Sequence, residues 1–156
     1  MADTSSQAAA VATAIERLAA VLEEVPARLL AVSEAQAQAP ATGMRWSRKE
    51  LIGHLIDSAG NNHQRFVRAQ YQERMSFPRY VQDEWIAAQG YRERHWSELV
   101  ELWRLYNRHL FHVMRRVPAA AFGNVCEVAA DEPGALGHHM ADYVQHMEHH
   151  LRQALA

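Results

Sequence analysis

The sequence predicts an all-α protein, a four-helix bundle with a longer crossover between its second and third helices. Two observations carry this expectation: apolar residues recur at steps of three and four along four long stretches, and no stretch reads convincingly as a strand. In the first stretch Val11, Ile15, Leu18, Leu22, Val25 and Leu29 share one helical face. The helix is expected to begin near Thr4 or Ser5, with Pro26 as the place for a kink. The segment SEAQAQAPATGM then loses the period and carries Pro40 and Gly43, which marks a connection. Ser47 followed three residues later by Glu50 forms a capping box, in which the two residues satisfy backbone N–H groups left free at a helix start. From Arg48 the second helical pattern runs to about Arg74 with no proline to stop it.

Pro78 and Gly90 bracket RYVQDEWIAAQG, read as a crossover containing a short helix. A third long helix is expected from about Trp96 to Val117, with Leu99, Leu102, Trp103, Tyr106, Leu110, Val113 and Val117 facing the core and Pro118 ending it. Residues from Ala119 to Gly134 read as loop. The last helix runs from about Leu136 to Ala154, its buried stripe being Leu136, Met140, Tyr143, Val144, Met147 and Leu151.

The 156 residues, 49% of them hydrophobic, suit one domain spanning 1–156 with a core of its own. A net charge of -2 and a pI near 6.5, with arginines scattered among acids, offer no footprint for nucleic acid. The Ala-rich N-terminal stretch has no basic start and soon acquires Glu16, Arg17, Glu23 and Glu24, as an amphipathic helix does and a signal peptide does not. No apolar run is long enough to cross a bilayer, so a cytoplasmic protein is expected. The lone Cys126 excludes an intramolecular disulfide and reads as an ordinary cytosolic thiol.

Chemistry concentrates on two helices. Projected at about 100° per residue, the second helix carries a polar stripe of His54, Ser58, Asn61 and Arg65 beside its apolar face of Leu51, Ile52, Leu55, Ala59 and Phe66. The last helix carries His139, His146 and His150 beside its own, with Asp142 and Gln153 at the edge. His146 and His150, four residues apart, can point at one ion. Taken alone, such a pair is more readily read as solvent-facing or core-edge histidines making hydrogen bonds. His54 on the matching flank of a neighbouring helix strengthens the metal reading, because three nitrogens leave positions open for water or substrate.

The runs WSRKELIGHLIDSAGNNHQRF and DYVQHMEHHLRQ resemble the DinB/YfiT-like superfamily of four-helix metalloenzymes. There one histidine comes from the second helix, after a Trp-Ser start, and two come from His-x-x-x-His on the last. The resemblance implies His54, His146 and His150 as ligands of a divalent ion, zinc or nickel foremost, manganese or iron also. It further implies a small-molecule substrate, a low-molecular-weight thiol such as bacillithiol or mycothiol as cosubstrate, and a homodimer.

Other residues have two readings each. Asp57 and Asp142 are either acceptors for a ligand imidazole N–H or ordinary surface acids. Asn61 and Arg65 continue the line of His54; Arg65 either anchors a substrate carboxylate or forms a salt bridge within the bundle. His139 either lines the pocket or adds a fourth ligand, the former being favoured, while His63, His95, His109, His112, His138 and His149 read as surface or structural. Tyr80, Trp85 and Tyr91 are candidates to roof a pocket or to cover the end of the core. Gly53, Ile56, Gly60 and Val67 form a line suited to close approach by the first helix or a second subunit.

The leading expectation is a metal-dependent enzyme that transfers a thiol to an electrophile, with hydrolysis second. Its rivals are a metal-binding or stress-response bundle without turnover, and a purely structural bundle whose histidines sit in hydrogen bonds.

Overall fold

The computed structural model describes residues 4–41, 43–129, 131 and 133–156. Four long helices dominate: α1 (Thr4–Leu30), α3 (Arg48–Arg68), α5 (Trp96–Arg116) and α6 (Leu136–Ala154). Shorter elements lie between them, namely α2 (Glu34–Gln38), β1 (Arg74–Phe77), α4 (Gln82–Gln89), β2 (Val125–Val128) and β3 (Gly134–Ala135). The expected four-helix bundle is therefore present. Both α1 and α3 pack against α5 and α6, which places α1 and α3 at diagonal corners. No helix among the described residues is long and apolar enough to cross a membrane.

The periodic faces are buried much as their spacing requires. On α1, Val11, Leu18, Val25 and Leu29 are buried, and Ile15 and Leu22 pack at the edge of the core. The helix continues past Pro26 to Leu30. All six residues expected on the stripe of α6 are buried. On α5 one assignment is corrected: Leu102 is 41% exposed, while Val100, Asn107 and Met114 take core positions. Asn107 is tolerated there because its amide donates to the Trp103 carbonyl and its Oδ1 accepts from the Tyr143 hydroxyl of α6.

The capping box at Ser47 forms as expected, the Ser47 hydroxyl accepting from the Glu50 backbone N–H at 3.2 Å and the Glu50 carboxylate from the Ser47 N–H at 2.7 Å. A second capping box, Ser33 with Gln36, starts the short α2 inside the segment expected to be a plain connection. The start of α3 is also tied to the end of α6, since Arg48 donates to the Ala154 and Ala156 carbonyls at 2.9 Å. Those bonds satisfy carbonyls that a helix end leaves free and fix the antiparallel register of the two helices that carry the histidines.

Two expectations fail in the connections. The second long helix stops at Arg68 rather than about Arg74, and a small three-stranded sheet replaces the expected loops. β1 pairs in parallel with β2, with Arg74 opposite Val125 and Phe77 opposite Val128, and β3 pairs antiparallel with β2. The Asn124 side chain donates to the Ala69 carbonyl at 2.7 Å, satisfying the end of α3 from a distant part of the chain. The glycine line on α3 does not face α1. A Cβ at Gly53 would overlap the Tyr91 ring, and one at Gly60 would meet the Tyr106 hydroxyl of α5 at 3.7 Å.

Candidate metal centre

His54, in the N-terminal half of α3, is fully buried, and the antiparallel packing of α6 brings His146 and His150 against it. One ring nitrogen from each of the three lies within 4.8 Å of the others. His146 Nε2 is 3.4 Å from His54 Nε2 and 3.1 Å from His150 Nε2. The rings meet edge to face, with centroids 4.5 to 5.1 Å apart. Trp46, just before the capping Ser47, packs its ring 5.2 Å from His54, and its indole N–H donates to Asp83 at 3.1 Å.

Electrostatics keep these imidazoles neutral. Burial, followed by the neighbouring His146 and His150, holds His54 down at about 3. Burial and then His150 hold His146 at about 4, and His150 is also lowered chiefly by burial. Gln153 Oε1 lies 2.7 Å from His150 Nδ1 and can only accept there, so Nδ1 carries the proton and Nε2 presents its lone pair to the other rings. His54 Nδ1 is buried with no partner among the described residues. Three converging Nε2 atoms on neutral rings form a poor hydrogen-bond cluster and a good donor set for a cation, which fits borderline metals that favour imidazole.

The remaining predicted residues scatter around this cluster. Asp57 is buried but holds no histidine; its Oδ1 accepts from the Tyr91 hydroxyl at 2.6 Å and the Gln89 amide at 2.7 Å, and its Oδ2 has no partner. Burial raises its pKa, against the lowering effect of those two donors. Asp142 is exposed and likewise makes no hydrogen bond to the rings among the described residues. The acceptor that orients a candidate ligand is therefore Gln153, placed at the edge by sequence but given no role there. Asn61 donates to the Asp57 carbonyl at 2.9 Å and faces another cavity, lined also by Arg65, Arg68, Met75 and Phe77.

His139 stands apart from the three. It lies near Arg65, Cys126 and Gly134, is lowered mainly by burial, and leaves Nε2 without a partner. The Cys126 thiol is buried and pushed up to about 11 by burial, which makes it a poor nucleophile. His63 is half-buried, with Nδ1 3.1 Å from the Tyr106 hydroxyl, whereas His95, His109, His112, His138 and His149 are exposed. A polar cavity of about 150 Å³ adjoins the cluster, lined by Ser58, Asn62, Arg65, Tyr80, Asp142 and His146 among others. Asn62 and Tyr80 thus line the space that sequence periodicity had suggested for Asn61.

These features define a helical bundle with a three-histidine candidate metal site between two adjacent helices. The chain belongs to the DinB superfamily, whose family model matches residues 8–154. Among solved structures it is similar to YfiT from Bacillus subtilis, a probable metal-dependent hydrolase with an unusual four-helix bundle topology. That match has 23% identity and a TM-score of 0.75, covering 89% of this chain and 82% of that one. It is also similar to a histidine-to-alanine mutant of the mycothiol-dependent maleylpyruvate isomerase, with 15% identity and a TM-score of 0.72, covering 94% of this chain and 61% of that one. At these identities the likeness shows a shared fold. No curated protein matches the sequence.

Proposed function

We propose that this protein is a divalent-metal-dependent enzyme acting on a small molecule, with His54, His146 and His150 as the ligands. One observation carries the reading: three neutral imidazoles from two packed helices present nitrogens within 4.8 Å of one another, and one of the three, His146, lines a polar cavity. A bound divalent ion would supply Lewis-acid activation of a nucleophile, water or thiol, at neutral pH. The chain's own residues do the rest. Gln153 holds His150 in one tautomer, Trp46 packs against the inner ring, and burial keeps protons off the nitrogens.

Thiol transfer to an electrophile is the preferred reaction, with hydrolysis second; dependence on a thiol is named for one of the two solved structures and hydrolysis for the other. Zinc or nickel suits an all-nitrogen set best, ahead of manganese or iron. A cytoplasmic, homodimeric protein completes the reading. The test is a turnover screen of metal-loaded protein with bacillithiol, mycothiol or water as nucleophile against alkylating and ester substrates. Saturable turnover that disappears in His146→Ala is expected. A protein that holds its metal and turns over none of them would be a binding module instead.

A further inference from the structure

Arg65 stands in the wall of both the cavity beside His146 and the one that Asn61 faces, without a partner for its charge among the described residues. Its Nη1 donates to Asn62 Oδ1 at 3.3 Å, and the Asn62 amide is in turn held by the Ser58 carbonyl at 2.9 Å. Its Nε is buried and makes no hydrogen bond among the described residues. No ion pair involving Arg65 is present among the described residues. The nearby Asp131 is engaged by Arg79 at 3.4 Å, and Asp142 lines the cavity without reaching the guanidinium. The intrabundle salt bridge that would have explained this arginine is therefore missing among the described residues. Arginine stays charged even where burial disfavours it, so its cationic fork calls for an anion from outside the chain.

We propose that the substrate of the three-histidine centre is a small molecule bearing a carboxylate, and that Arg65 binds that carboxylate. The inference rests on the metal-centre reading and adds the substrate class. Arg65 follows His54 by eleven residues, roughly 16 Å along the helix axis, and helical side chains lean toward the N-terminus, which is here toward the histidines. The Tyr80 hydroxyl, kept protonated by burial that lifts it to about 12, borders the same cavity and can serve as a second donor. A cavity of about 150 Å³ suits a short carbon chain or one ring. Carboxylate is favoured over phosphate because Arg65 is the one Arg or Lys lining it among the described residues and Asp142 lies on the same wall, which disfavours a group that concentrates two negative charges at one point, as phosphate does and each end of a dicarboxylate does not.

The test is calorimetric titration of zinc-loaded protein with succinate, its neutral analogue succinamide and inorganic phosphate, with bound zinc measured on every sample. Wild type is expected to bind succinate in preference to the other two. Arg65→Gln should weaken succinate binding by at least about tenfold with zinc content unchanged, and Arg65→Lys should recover part of it. Because a variant can fail to fold, the Arg65 Nε–H resonance of the wild type provides an independent reading, shifting with succinate and not with succinamide. Zinc-loaded wild type that ignores succinate, equal binding by Arg65→Gln, or tighter binding of phosphate would overturn the inference. Wild type that retains no zinc would instead sink the metal-centre reading itself.

Discussion

At Gly53 the absence of a side chain lets the Tyr91 ring lie against α3, and the Tyr91 hydroxyl then holds Asp57. Alanine would improve helix propensity by about 1 kcal/mol, but its methyl would overlap a ring that is pinned at its far end. Overpacking of this kind costs ~1–3 kcal/mol, so Gly53→Ala should lower the urea midpoint with no change in the slope of the unfolding curve. A raised midpoint would show that the ring moves freely. Sequence periodicity found the glycine line but left its neighbour open between the first helix and a second subunit, because spacing reveals that a face is small without revealing what lies on it. The same limit applies to Asp57: its place beside His54 was legible, whereas its partners Tyr91 and Gln89 come from the crossover.

Among the elements, the four long helices were legible because each carries its own period and, at α3, its own cap. The end of α3 was not. No glycine or proline follows Arg68 until Pro78, and the groups that shape residues 69–77 are the Asn124 amide and the β2 backbone, far along the chain. Strands of two to four residues are also too short for alternation to register. Where α3 meets α6, the buried His54 and His146 lead to a pH prediction for metal-free protein. In the unfolded chain an imidazole takes a proton near its ordinary value of about 6.5, while the folded rings resist until about 3 and 4. The unfolded state thus binds more protons between those values, so stability is complete above roughly pH 6.5 and falls as pH drops toward 4. The urea midpoint of metal-free protein should decline from about pH 7 to about pH 5, before most carboxylates titrate. A midpoint that stays level over this range would mean that the rings are not held neutral.

Across the whole molecule, the diagonal placement of α1 and α3 leaves α6 beside α3, and the Arg48 bonds to its C-terminal carbonyls set the register that brings three histidines to one point. The three residues themselves were legible from spacing and from the family resemblance. The neighbouring cavity was legible only in part: Tyr80 was a candidate to roof a pocket and lines it, whereas Asn62 reaches it through packing that the polar stripe of α3 did not reveal. The most direct measurement is elemental analysis of untagged protein, comparing wild type with His54→Ala and His146→Ala. Near-stoichiometric divalent metal in wild type, lost in both variants while helical circular dichroism is retained, is the expected result. Wild type that carries no metal and takes up none when zinc or nickel is added would contradict the metal centre and leave a structural bundle with hydrogen-bonded histidines.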